Sequence, residues 1–102
     1  MNMISERERA FENKFAHDEE LKFKAQVLRN RLAATWAAPL AGKTDVDAYV
    51  VEVIDAALKA GGDVFDKLKS DLDAAGAAVS ADDLRAKLDQ LLGTAIEQVS
   101  SK

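Results

Sequence analysis

The string that most invites a chemical reading is Ala37–Thr44, AAPLAGKT, which fits a relaxed phosphate-binding loop: Ala or Gly, four residues, then Gly-Lys-Thr. Such a loop works because it follows a strand and opens a helix, so that successive backbone N–H groups converge on a phosphate. Here the string follows a helical pattern, and Pro39 removes one N–H. Gly42 stands where a helix should end and Thr44 where the next should begin. A nucleotide-hydrolysing loop is therefore not expected. Lys69-Ser70-Asp71-Leu72 has the residue types of a carrier-type prosthetic-group site. That chemistry uses the order Asp-Ser-Leu at a helix start, whereas this chain has Ser-Asp-Leu inside a helical pattern. His17 is the lone imidazole. It has neither an assignable nucleophile nor a rigid carboxylate partner, which leaves a solvated or pH-responsive group rather than a general base. The pairs Asp71/Asp73 and Asp82/Asp83 read as helix-start and surface carboxylates rather than metal ligands. With no Cys, there is no thiol chemistry or disulfide framework. The expectation is a protein without catalytic residues, cofactor or metal, and not an enzyme.

The chain behind these residues is built for helices. Of 102 residues, 19 are Ala and 11 Leu, against 14 β-branched residues, one Pro and five Gly. Ala and Leu favour helix and β-branched residues favour strand, so the fold class is all-α. The formal net charge of −4 disfavours a nucleic-acid partner. No apolar run approaches the roughly 20 residues of a membrane helix, and no secretory leader pattern opens the chain. A cytoplasmic protein without direct membrane insertion is expected.

Apolar spacing divides the chain into a segment, 1–17, and a four-helix bundle, 18–102, with helices at approximately 18–41, 45–60, 63–75 and 81–99. The first helix has Asp18 as cap, the acid-before-base pairs Asp18/Lys22 and Glu20/Lys24, and the stripe Leu21, Ala25, Leu28, Leu32 and Trp36. Phe23 and Val27 lie off that stripe, as core under another helix or as an exposed contact. Thr44 with Asp47 is the expected start of the second helix, with Val46, Val50, Val53 and Ala57 inward and Tyr49 and Ile54 beside them. Asp63 opens the third, carrying Phe65, Leu68, Leu72 and Ala75. Ser80 with Asp83 opens the fourth, carrying Leu84, Leu88, Leu91, Ala95 and Val99. Gly42, Gly61, Gly62 and Gly76 are the stops.

Residues 5–20 differ from this pattern. Ten of the sixteen are charged or His, and Phe11 and Phe15 are the only large apolar side chains. Two rings cannot offset the ~1–2 kcal/mol per residue that ordering a backbone costs. Yet Ser5 and Glu8 have capping-box spacing, and Phe11 and Phe15 fall on one helical face. A flexible, nascently helical segment that folds on meeting a partner is expected.

The stretch Glu6–Ala38, ERERAFENKFAHDEELKFKAQVLRNRLAATWAA, closely resembles the zeta subunit of alphaproteobacterial ATP synthases, an ATPase-inhibitor family. The resemblance continues through Gly42–Thr44 (GKT), Ser70–Gly76 (SDLDAAG) and Asp83–Leu92 (DLRAKLDQLL). It departs at Ile4 and Ser5, where the family pattern has an aromatic and an acidic residue. The resemblance implies a four-helix protein whose N-terminal segment enters a catalytic α/β interface of the F1-ATPase, folds there as a helix and blocks ATP hydrolysis. On that reading Phe11 and Phe15 fill apolar pockets, while Glu6, Arg7, Glu8, Arg9, Glu12 and Lys14 pair with groups of the cleft. The implied partners are the α, β and γ subunits, and the implied location is peripheral to the inner membrane. Two alternatives stay open: a helical bundle that binds adenine nucleotide weakly, and a protein-interaction adaptor with another target.

Overall fold

The computed structural model describes residues 18–100. Among them the chain forms four α-helices and no strand: α1 (Glu19–Leu40), α2 (Val46–Lys59), α3 (Phe65–Ala74) and α4 (Ala81–Ser100). The fold class is all-α, as the composition requires. Residues 1–17 lie outside the described residues.

Caps set the helix bounds. Asp18 accepts from the Leu21 N–H at 3.1 Å and starts α1. Because its carboxylate serves the cap, Lys22 pairs instead with Glu19 at 3.6 Å, while Lys24 pairs with Glu20 at 3.0 Å. The second helix is capped by Asp45, which accepts from the Ala48 N–H at 3.0 Å, and not by Thr44. Both residues suit the position, and a carboxylate adds a favourable charge at the helix N-terminus. The N-cap position of α3 is Val64 rather than Asp63, and Asp63, one residue earlier, accepts from the Phe65 N–H at 2.8 Å. Ser80 and Asp83 form the reciprocal box, Asp83 N–H to Ser80 Oγ at 3.0 Å and Ser80 N–H to Asp83 Oδ2 at 3.5 Å. At the other ends, Lys43 donates to the Ala38 carbonyl, Gly62 to that of Ala57 and Ala77 to that of Leu72. Each is a six-to-one bond closed over a glycine at positive φ: Gly42, Gly61 and Gly76.

Helix α1 is the centre of the packing. It lies extensively against both α2 and α4, which scarcely meet each other, and α3 touches all three more lightly. Both flanking helices run antiparallel to it. The turn after α2 returns to Gln26, Arg29 and Asn30, and α4 passes Lys87 over the Trp36 ring before laying Leu92 and Ile96 beside Ala25. The face that α1 buries is not the leucine stripe but Ala25, Asn30, Ala33, Ala34, Ala37 and Ala38. Leu21, Leu28, Leu32 and Trp36 are only half-buried. The large core side chains come from elsewhere, with Val53, Val64, Leu68, Leu72 and Leu84 fully enclosed. Of the inward positions expected on the last two helices, Leu68, Leu72, Leu84, Leu88 and Ala95 are buried, whereas Ala75 is exposed.

Asn30 is the buried polar side chain of this interior. Its Nδ2 donates to the Gly62 carbonyl at 3.3 Å, and its Oδ1 accepts from Arg29 Nε at 2.8 Å. Gln26 Nε2 and Arg29 Nη2 donate to the same Gly62 oxygen at 3.3 and 3.4 Å. One carbonyl beyond the end of α2 thus ties the α2–α3 turn to α1. Gly62 holds φ at +96°, and a Cβ there would meet the Gln26 amide carbon at 2.8 Å. Gly62→Ala should therefore destabilise by about 1–2 kcal/mol. Gly93 lies inside α4 with nothing near its missing Cβ, so Gly93→Ala should stabilise by about 0.5–1 kcal/mol. Urea unfolding of the two variants measures both signs.

Candidate functional site

The residues singled out for partner binding (Glu6, Arg7, Glu8, Arg9, Phe11, Glu12, Lys14 and Phe15), together with His17, all lie outside the described residues. The structure does show the platform to which they are joined. Asp18 holds an extended conformation, φ −100° and ψ 96°, so the chain leaves the axis of α1 at this residue. Within two turns stand Glu19, Glu20, Lys22 and Lys24, all exposed, and Phe23, which is 59% exposed. Beside them a groove of about 350 Å3 runs between the start of α1 and the end of α4, lined by Lys22, Ala25, Gln26, Arg29, Leu92 and Ile96. Burial pushes the Arg29 guanidinium below its usual pKa, opposed by the nearby charges of Asp63 and Asp89.

The Gly42-Lys43-Thr44 string is a helix-ending turn. The Gly42 and Lys43 N–H groups are already bonded to the Pro39 and Ala38 carbonyls, at 3.2 and 2.8 Å, and cannot cradle a phosphate. A shallow cleft of about 290 Å3 does open here, lined by Gly42, Lys43, Thr44, Asp45, Ala48, Tyr49 and Glu52. Two carboxylates against one ammonium make it a poor receiver of polyphosphate.

The most connected polar cluster joins α2 to α3. Tyr49, almost fully buried, donates from its hydroxyl to Asp71 Oδ2 at 2.8 Å, and Lys67 pairs with Asp71 at 3.0 Å and with Glu52. Lys43 and Lys67 lie 5.7 and 5.9 Å from the Tyr49 ring centre. Asp71 is therefore a half-buried strut rather than the surface carboxylate its sequence context suggested. Burial alone would raise its pKa, but hydrogen bonds from Lys67 and Tyr49 outweigh that and hold it below the usual aspartate value. Burial, with the Asp71 hydrogen bond, pushes the Tyr49 hydroxyl well above its usual pKa. These shifts belong to a satisfied structural network, in which Lys67 bridges the Asp71 and Glu52 carboxylates and Asp71 takes up the Tyr49 hydroxyl. Among the described residues no group of three or more His, Asp or Glu could hold a metal ion.

The lowered Asp71 value has a consequence for acid stability. Protonation costs more in the folded chain than in the unfolded one, so the contribution is complete above the unfolded aspartate pKa and is lost as pH falls through the folded value. Tyr49→Phe removes one of the bonds that lowers it. This variant should lose about 1 kcal/mol at neutral pH and show a smaller further loss between pH 5 and 2 than the parent chain. Thermal melts across that range check both.

Sequence reasoning did not single out Asn30, Gln26 and Gly62 as a set. An Asn within an alanine-rich helix was the signal, because a buried amide needs a partner and a glycine turn offers a bare carbonyl. Comparison with known proteins adds the identity of the whole. No individual curated protein matches the chain. The family model for ATPase inhibitor subunit zeta matches residues 1–98, both the segment ahead of Asp18 and the helices behind it. The chain therefore belongs to the ATPase inhibitor subunit zeta family.

Proposed function

We propose that this protein is a regulatory subunit that inhibits ATP hydrolysis by the F1-ATPase of a bacterial ATP synthase, without catalytic activity of its own. The observation that carries the reading is the family match over residues 1–98, which includes the charged segment as well as the helical body. In the proposed mechanism residues 1–17 enter a catalytic α/β interface and fold there as a helix. Phe11 and Phe15 fill apolar pockets of the cleft, and Glu6, Arg7, Glu8, Arg9, Glu12 and Lys14 pair with its charged groups. A cleft held by a folded helix cannot pass through the closing motion that hydrolysis requires. The body from residue 18 onward stays outside as a steric stop, and γ is contacted where the segment meets the rotor. On this reading the protein works in the cytoplasm, peripheral to the inner membrane when bound.

The described structure supports this division. Among the described residues the buried side chains of the core lie between Ala25 and Ala95, within the helical body. The Asp18 cap ends α1 where the two parts meet. No described helix is long and apolar enough to cross a membrane. Folding on binding sets aside part of the gross interaction energy for ordering, about 2–5 kcal/mol, which keeps such an inhibitor reversible.

Deleting residues 1–17 should leave the helical content and melting of the body nearly unchanged and abolish inhibition of F1 hydrolysis. Steady-state ATPase assays with the full and shortened chains decide the matter. Equal inhibition by both would place the inhibitory surface on the body instead.

A further inference from the structure

Helix α1 is longer than the helix packed on one side of it. Its α2-facing side is covered only as far as Gly62, whose carbonyl is held by Gln26, Arg29 and Asn30. The glycine turn there sends the chain away into α3. Below that clasp, two turns of α1 keep α4 on one face and have no described helix on the other. Phe23 and Val27 continue the face that α2 covers higher up, and Phe23 is more than half exposed. Immediately beside them is the groove floored by Ala25, Leu92 and Ile96 and rimmed by Lys22 and Arg29. The surface is thus an apolar strip with two cations along it.

We infer that residues 5–16 of this same chain dock on that strip as a helix antiparallel to α1, with Phe11 and Phe15 against Phe23, Leu92 and Ile96, and Glu8 and Glu12 against Lys22 and Arg29. Four observations converge on this occupant. The segment joins the body at Asp18, five residues from Phe23, and the extended N-cap conformation of Asp18 marks the start of α1 there. Its length fits, because a helix from Ser5 to Ala16 is about 18 Å long and the uncovered part of α1 from Glu19 to Asn30 is about the same. The helical period puts Glu8, Phe11, Glu12 and Phe15 on one face, so the two rings arrive with two carboxylates. The strip offers apolar surface with two cations in answer. An antiparallel register set by a turn at His17 brings Phe15 opposite Leu21 and Lys22, Phe11 near Phe23 and Gln26, and Glu8 toward Arg29. Asp63 and Asp89 also lie near Arg29, so its charge is shared and the docked state is shallow.

Two rings that cannot fold a helix alone gain here a third ring and two aliphatic side chains. Where the inhibitory reading above holds, the same face of the segment would serve the body in the free protein and the enzyme in the complex, and undocking would precede inhibition. The docking itself does not depend on that reading.

The chain contains no Cys, so Ala10→Cys, on the side of the segment away from Phe11, gives a single site for a nitroxide label on the full-length protein. Docking predicts that amide signals around Leu92 and Ile96, remote in sequence from the label, lose at least half their intensity and recover it when Phe23→Ser is added. Phe23 is exposed, so that substitution leaves the body folded. Unbroadened signals at 92–96 would overturn the inference. So would broadening that survives Phe23→Ser, or broadening that passes from labelled to unlabelled molecules in a mixed sample, which would make a second copy the occupant. None of these readings uses F1, so the result stands apart from the hydrolysis assay.

Discussion

The structure depends on how closely two helices can approach α1. Ala33, Ala34, Ala37 and Ala38 are completely enclosed, and together they cover the part of α1 that meets α2, α3 and α4. Methyl side chains bring neighbouring helix axes toward the short end of the usual 8–10 Å separation. The space between them is then filled by Val53, Leu68, Leu72 and Leu84 from the surrounding helices, together with Val64 from the turn. The arrangement leaves α1 as a thin spine with large side chains projected onto it. It also explains why α2 and α4 need scarcely touch, since each has its own side of the spine.

This inversion limits what hydropathy reveals. A search for large apolar residues at helical spacing finds Leu21, Leu28, Leu32 and Trp36, which share a face with Ala25, yet these four large side chains are only half-buried. The face that closes the core is made of alanines, whose burial depends on the size of the partner and not on their own apolarity. The helix stops were legible because a glycine at positive φ serves few purposes other than ending a helix. The same holds for Asp18 and for Ser80 with Asp83, whose side chains reach only local N–H groups. Thr44 and Asp45 are adjacent candidates of one type, and the sequence has no term that ranks them. Asp71 was misread because Tyr49, the partner that ties it into the interior, comes from α2, 22 residues away in the chain, whereas Lys67 is an ordinary i,i+4 neighbour on α3. Long-range pairing leaves no periodic mark.

The polar clasp at Gly62 sets a boundary within the molecule. Above it α1 has three helical neighbours and a continuous apolar core. Below it α4 is the described helix that remains in contact, and among the described residues the buried side chains there are Ala25 and Ala95. A buried amide with both ends satisfied holds a register, because sliding α2 by one residue would strand Asn30 without its acceptor. The end of α2 is therefore fixed in space, and the uncovered length of α1 is fixed with it. The Tyr49–Asp71–Lys67 network does similar work at the other side of α2, tying α3 across its face.

The proposed mechanism, inhibition through a terminal segment, needs a body that stays folded when the segment leaves, and a junction that does not transmit the departure. A helix running without interruption from residue 5 into α1 would couple the two, because drawing the segment into a cleft would pull directly on the alanine spine. The Asp18 cap separates them, since its side chain accepts from the Leu21 N–H, one of the free N–H groups in the first turn of α1. The part of α1 nearest the junction is also the part least engaged with the core. Strain arriving through Asp18 would meet α4, the described helix packed there, before reaching Asn30, where the tightly packed region begins. On the proposed mechanism the weakly covered two turns at the start of α1 would act as a buffer between the segment and the core.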